Sequence, residues 1–215
     1  MSRHTAKYAV LTALVTLCCS VSPAQTATGT FSVDYFPNLN QFDGLKRVVN
    51  TGFWSDSTAG NLCDMIYVFT REQLAECCGC YVTPNGSRDF DVKMQLASNT
   101  LTGVHPNEVL VKQVSSGPLG AGTDVDAITC TISPDGSISC PSPSIACDPR
   151  GAAPLKGLRS WATKTQVIGS LVNITETNSQ DASLGAAEQA DLVEDCGVLI
   201  ELGSGQGLCT CGGFD

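Results

Sequence analysis

Positive charge is scarce in this chain. Twelve lysines and arginines stand against 21 acidic residues in 215, a net charge of −9. Such a surface is repelled by nucleic-acid phosphates and by anionic lipid, so neither is an expected partner. Histidine is scarcer still. Of His4 and His105, only the second lies beyond the N-terminal segment. It sits between Val104 and Pro106 with no nucleophile motif nearby, so a solvated loop histidine is expected and a catalytic triad is not. Aromatic residues make up 6% of the chain, few for the stacking platforms of sugar sites. Carboxylate pairs for glycoside hydrolysis come from distant parts of a chain and leave no local motif. Gly203-Ser204-Gly205-Gln206-Gly207 follows a helical pattern instead of a strand and lacks the lysine of a phosphate loop, so it reads as a flexible tail. Asp124 and Asp126 lack the rest of a calcium loop.

What the N-terminus does have is a targeting pattern. Arg3 and Lys7 precede an apolar run from Tyr8 to Cys19, and Ser22-Pro23-Ala24 offers small residues for cleavage. The run is too short to span a bilayer comfortably. Residues 1–24 are expected to be a signal peptide, and no membrane span is expected after cleavage. A lipoprotein signal at Cys18 or Cys19 is disfavoured by the bulk of Leu17. Cleavage would remove Arg3 and Lys7 and no acid, taking the net charge from −9 to −11. The mature chain suits a β-domain at 25–180 with a C-terminal piece at 181–215 packed on it.

Ten cysteines then remain: Cys63, Cys77, Cys78, Cys80, Cys130, Cys140, Cys147, Cys196, Cys209 and Cys211. An even number in an exported chain reads as a disulfide framework. Three of them crowd into Cys77-Cys78-Gly79-Cys80. A redox motif needs its Cys-x-x-Cys at a helix N-terminus, whereas Tyr81 to Gly86 reads as strand and turn. Structural zinc normally uses two Cys-x-x-Cys knuckles, and the second is missing. Adjacent Cys77 and Cys78 are expected to take different partners, one of them in the tail.

The coarse pattern is β-rich. Strands are expected at Thr30–Phe36, Leu45–Phe53, Met65–Phe69 and Val109–Val114. Phe90, Val92, Met94 and Leu96 alternate with Asp91, Lys93 and Gln95, which predicts a half-exposed strand. Arg71–Glu76 suits one helical turn, Asn85-Gly86 is a strong turn signal, and Asn178–Ser183 suits a loop. Thr129–Ser133 and Ser137–Cys140 flank Pro134-Asp135-Gly136, a three-residue hairpin loop with a bulge. Counting outward opposes Cys130 and Cys140 in a non-hydrogen-bonded pair, which predicts a cross-strand disulfide. Leu155–Thr177 offers one or two strands with Trp161, Val167, Ile168, Leu171, Val172 and Ile174 as core candidates. Leu192, Val193, Cys196, Leu199 and Ile200 recur at helical steps, with Ser183 as N-cap and Gly203 as stop. Asn85-Gly86-Ser87 and Asn173-Ile174-Thr175 match the glycosylation pattern.

Asn61–Phe69, Glu76–Gly86 and Gly203–Cys209 resemble segments of uncharacterised cysteine-rich secreted proteins of soil bacteria, acidobacteria especially. That resemblance implies export and a cysteine-bridged architecture, and carries no activity. The expected fold is mainly β: an antiparallel Ig-like β-sandwich with a C-terminal α-helix and a cysteine-rich tail. The expected role is a secreted structural or binding module of the cell envelope or extracellular space, without catalysis, metal or cofactor. Its partner would be an unidentified envelope or extracellular protein or glycan. The rivals are a secreted hydrolase with dispersed carboxylates and a cysteine-rich metal-binding protein.

Overall fold

The computed structural model describes residues 30–52, 60–71, 73–117, 131–132, 138–139, 147–151 and 153–211. It is mainly β, with two antiparallel sheets and one C-terminal helix. The larger sheet contains β1 (Phe31–Phe36), β3 (Leu62–Phe69), β4 (Leu74–Val82), β6 (Val109–Gly117), β9 (Ala153–Pro154) and β12 (Gln180–Asp181). Its order is β12-β1-β6-β3-β4, with β9 also on β6. The smaller sheet contains β2 (Leu45–Asn50), β5 (Ser87–Asp91), β10 (Leu158–Ile168) and β11 (Leu171–Asn178), in the order β11-β10-β2-β5. A separate ribbon pairs β7 (Thr131–Ile132) with β8 (Ile138–Ser139). The helix α1 spans Ala186–Gly203.

Period two explains the layering. On β3, Leu62, Ile66 and Val68 face the smaller sheet and pack with its Val48, Phe90, Leu158 and Ala162. The alternate residues Cys63, Met65 and Tyr67 face the other way and pack with Leu192, Cys196 and Leu199 of α1. The central strands are therefore covered on both faces. That is why β3 reads as an almost unbroken apolar run.

Several expectations change. Residues 74–76 belong to β4 and not to a helical turn, because Leu74 and Glu76 pair with Phe69 and Val68 across a bulge. The alternation after Phe90 stops being a strand at Asp91. Val92–Leu96 forms a π-helical turn that buries Val92 and Leu96 and leaves Met94 65% exposed. Asn85 turns with φ +59, and Gly86 N–H donates to Thr83 O, but this turn carries the chain from one sheet to the other. Asn178–Ser183 contains β12, which pairs with β1 instead of looping free. Ile168, Leu171, Val172 and Ile174 are exposed, and the body of β10 buries Leu158, Ala162 and Thr165 instead. Gly185, not Ser183, occupies the N-cap of α1; at the other end Gly203 closes the helix and Ser204 caps it in the left-handed region.

Candidate functional site

Two constellations stand out, one of sulfur and one of buried polar groups. The first is built on β4. Neighbouring residues on a strand face opposite ways, so Cys77 and Cys78 cannot share a partner layer. Cys77 points to α1 and bonds Cys196; Cys78 and Cys80 point to the inner face and bond Cys209 and Cys211. Cys63 on β3 bonds Cys147. The Cα–Cα separations run from 5.3 to 5.9 Å, the ordinary range for a disulfide. Cys130 and Cys140 lie outside the described residues. The pairs Thr131↔Ser139 and Ile132↔Ile138 have the register expected of their hairpin.

The segment after α1 is not a loose tail. Gly205 and Gly207 adopt φ +96 and +78, conformations suited to glycine. Gly207 N–H donates to Asn99 O, Cys77 N–H donates to Gly207 O, and Cys209 N–H donates to Cys77 O. Leu208 thus bridges in parallel to Cys77 along the free edge of β4. The two Cys-x-Cys pairs then run side by side, which is why both bridges have the same sequence separation of 131. The edge that would template foreign pairing is covered. The Cys78 and Cys80 sulfurs lie 4.0 Å apart, and those of Cys78, Cys80 and Cys211 cluster within 4.8 Å. Each belongs to a bridge and has no thiolate to offer a metal in this state.

The second constellation lies between the sheets. Beside the apolar core, β1 contributes Ser32 and Asp34, β2 contributes Lys46, β3 contributes Asp64 and β6 contributes Gln113 and Ser115, all buried. Lys46 Nζ contacts Asp34 Oδ2 and donates to the hydroxyls of Ser179 (2.6 Å) and Ser160 (3.2 Å). Lys164 Nζ sits 3.1 Å from the other Asp34 oxygen. Burial pushes Asp34 up, but Lys46, the Ser179 hydroxyl and Lys164 together outweigh it and hold the carboxyl below its ordinary value. Burial lowers Lys46 against the pull of Asp34. One carboxylate thus faces two ammonium groups, one of them fully buried.

Asp64 is the cross-strand partner of Ser115. Its Oδ2 accepts from Gln113 Nε2 at 2.7 Å, while Asp64 Oδ1 and Ser115 Oγ have no hydrogen-bond partner among the described residues. Both residues line a cleft of about 120 Å³ shared with Ser32, Ser160, Ser179 and Asp181. Burial first of all raises the Asp64 carboxyl from 3.8 to about 7. Glu76 is also pushed up by burial, to about 7, while Asn99 N–H holds its Oε1.

None of these polar residues was singled out by sequence pattern. The available signal is parity: Lys46 shares a face with Val48, and Asp64 with Ile66. His105 is exposed, with Nδ1 3.2 Å from Ala97 O. No protein-family model, curated protein or solved structure matches this chain.

Proposed function

We propose that this chain is a secreted, disulfide-bridged structural or binding module of the cell envelope or extracellular space, working without catalysis. The observation that carries the reading is the set of four bridges fastening α1, the tail and residue 147 to the central strands. Disulfides of this kind persist in oxidising compartments. No helix among the described residues is long and apolar enough to cross a membrane. A signal peptide at 1–24, an Ig-like form for the two packed sheets and kinship with secreted soil-bacterial proteins belong to the same proposal. The test is expression of the full chain in a Gram-negative host, followed by fractionation and N-terminal sequencing. Export with cleavage after Ala24 and no free thiols is expected; retention in the cytoplasm with an intact N-terminus would overturn it.

The hydrolase reading has one observation in its favour: Asp64, with its raised pKa, shares a cleft with Asp181. Against it, about 120 Å³ is small beside the roughly 300–1,000 Å³ of typical ligand pockets. Turnover of glycoside or ester substrates that is lost in Asp64→Asn would favour the enzyme over the module.

A further inference from the structure

The geometry points to an intramolecular isopeptide bond between Lys46 Nζ and Asp34 Cγ, formed by the chain itself with loss of one water. Three features carry it. Lys46 and Asp34 are buried, 0% and 3% exposed, and their side chains touch. The amine is held on its other sides by the Ser160 and Ser179 hydroxyls, so its position against the carboxyl is fixed by three strands, β1, β2 and β10, and the turn after β11. Lys164, reaching from β10, sits 3.1 Å from Asp34 Oδ1.

Each feature has a chemical part in the reaction. Enclosure of nucleophile and electrophile supplies an effective molarity on the order of 10⁵–10⁸ M for well-oriented groups. Burial eases the loss of a proton from Lys46, and the amide product leaves no charge to bury. From the ion pair, one proton passes from Nζ to Asp34 Oδ2, and the freed lone pair attacks Cγ. Charge develops on Oδ1, where the Lys164 ammonium stabilises it. A second proton passes from Nζ to Oδ2, the Cγ–Oδ2 bond breaks, and water departs. Ser160 and Ser179 line the interlayer cleft, which gives that water an exit. Of the three protons on Nζ, two leave as water and one stays on the amide, so no oxidant, reductant or co-reactant is needed.

The bond would have a structural consequence that the disulfides do not. β1 belongs to the larger sheet and β2 to the smaller. The four described bridges tie the helix, the tail and residue 147 to the larger sheet, and none of them joins the two sheets. Lys46–Asp34 would be the covalent tie across the core.

The test is the intact mass of the folded, mature full chain, with cysteines counted after alkylation. The expected mass is lower by one water than sequence and disulfides require. Trypsin would fail to cut after Lys46, and fragmentation of the peptide ending at Arg47 would give no backbone ions between Asp34 and Lys46. Asp34→Asn would expel ammonia in place of water and converge on the same product mass; Lys46→Met would show its full mass. Three results would overturn the proposal. The wild-type chain could show its full mass, which leaves a plain buried ion pair. The water loss could persist in Lys46→Met. It could instead map to Asp43-Gly44, which marks a succinimide at that dipeptide. The wild-type mass decides even if Lys46→Met does not fold.

Discussion

β3–β4 and β10–β11 are both antiparallel hairpins that carry apolar residues, and they have opposite fates. Through β3 and β4, every described residue but Phe69 is buried. Along β11, seven of eight residues are exposed, and Leu171 and Ile174 are 72% and 67% open to solvent. The difference is cover. β3 and β4 have the smaller sheet on one face and α1 on the other, and the tail runs along the outer edge of β4, whereas the outer strand β11 is open to solvent along its length. Hydrophobic sequence selects a strand for burial only where another layer is brought against it, and here the Cys77–Cys196 bridge fastens one of those layers, α1, to β4.

Reduction should break this contrast most severely. Each bridge is worth about 2–4 kcal/mol, and four together rival the roughly 5–15 kcal/mol that stabilises a typical domain. Loss of the cooperative far-UV thermal transition under reducing, non-denaturing conditions is the expected outcome. Next comes Gly79→Ala. A Cβ there would collide with the backbone carbonyl of Cys147 and press on Met65 Sδ. Overpacking of this kind costs about 1–3 kcal/mol, readable as a lower denaturant midpoint.

The buried acids give a pH signature of the covered region. Asp64 and Glu76 stand at about 7 in the folded chain, against ordinary values of 3.8 and 4.5. A raised acid holds a proton that the unfolded chain releases, so its contribution to stability is full below the ordinary value and is lost as pH rises through the folded one. The melting temperature should fall from pH 4.5 to about 7, and Asp64→Asn with Glu76→Gln should flatten that slope. Asp34, Glu108 and Asp148 are shifted the other way and act below this window. The smallest effect belongs to the open hairpin: Leu171→Thr or Ile174→Thr should change stability by no more than about 0.5 kcal/mol by denaturant titration.

Much of the larger sheet was legible because its strands carry β-branched and aromatic runs between turn residues. Cys196 was legible through helical periodicity, and the split between Cys77 and Cys78 through strand parity. The connectivity to the tail had a signal in the equal spacing of Cys78-x-Cys80 and Cys209-x-Cys211, which lets the two pairs meet, but only the parallel course of the tail selects 78 with 209 and 80 with 211. Ile168 to Ile174 misled because alternation marks a strand but not what covers it. Lys46, Asp34 and Asp64 escaped because each sits at a core-facing position of a strand whose neighbours are apolar, and only the packing of one sheet on the other brings the three into one polar pocket.

β4 is the strand to which the helix and the tail are tied. Non-reducing peptide mapping of protein exported to an oxidising compartment tests it most directly. The expected bridges are Cys77–Cys196, Cys78–Cys209, Cys80–Cys211 and Cys63–Cys147, with no free thiol among these eight. Free thiols at Cys78, Cys80, Cys209 and Cys211 with stoichiometric bound metal would contradict it, and so would a bridge confined within Cys77–Cys80.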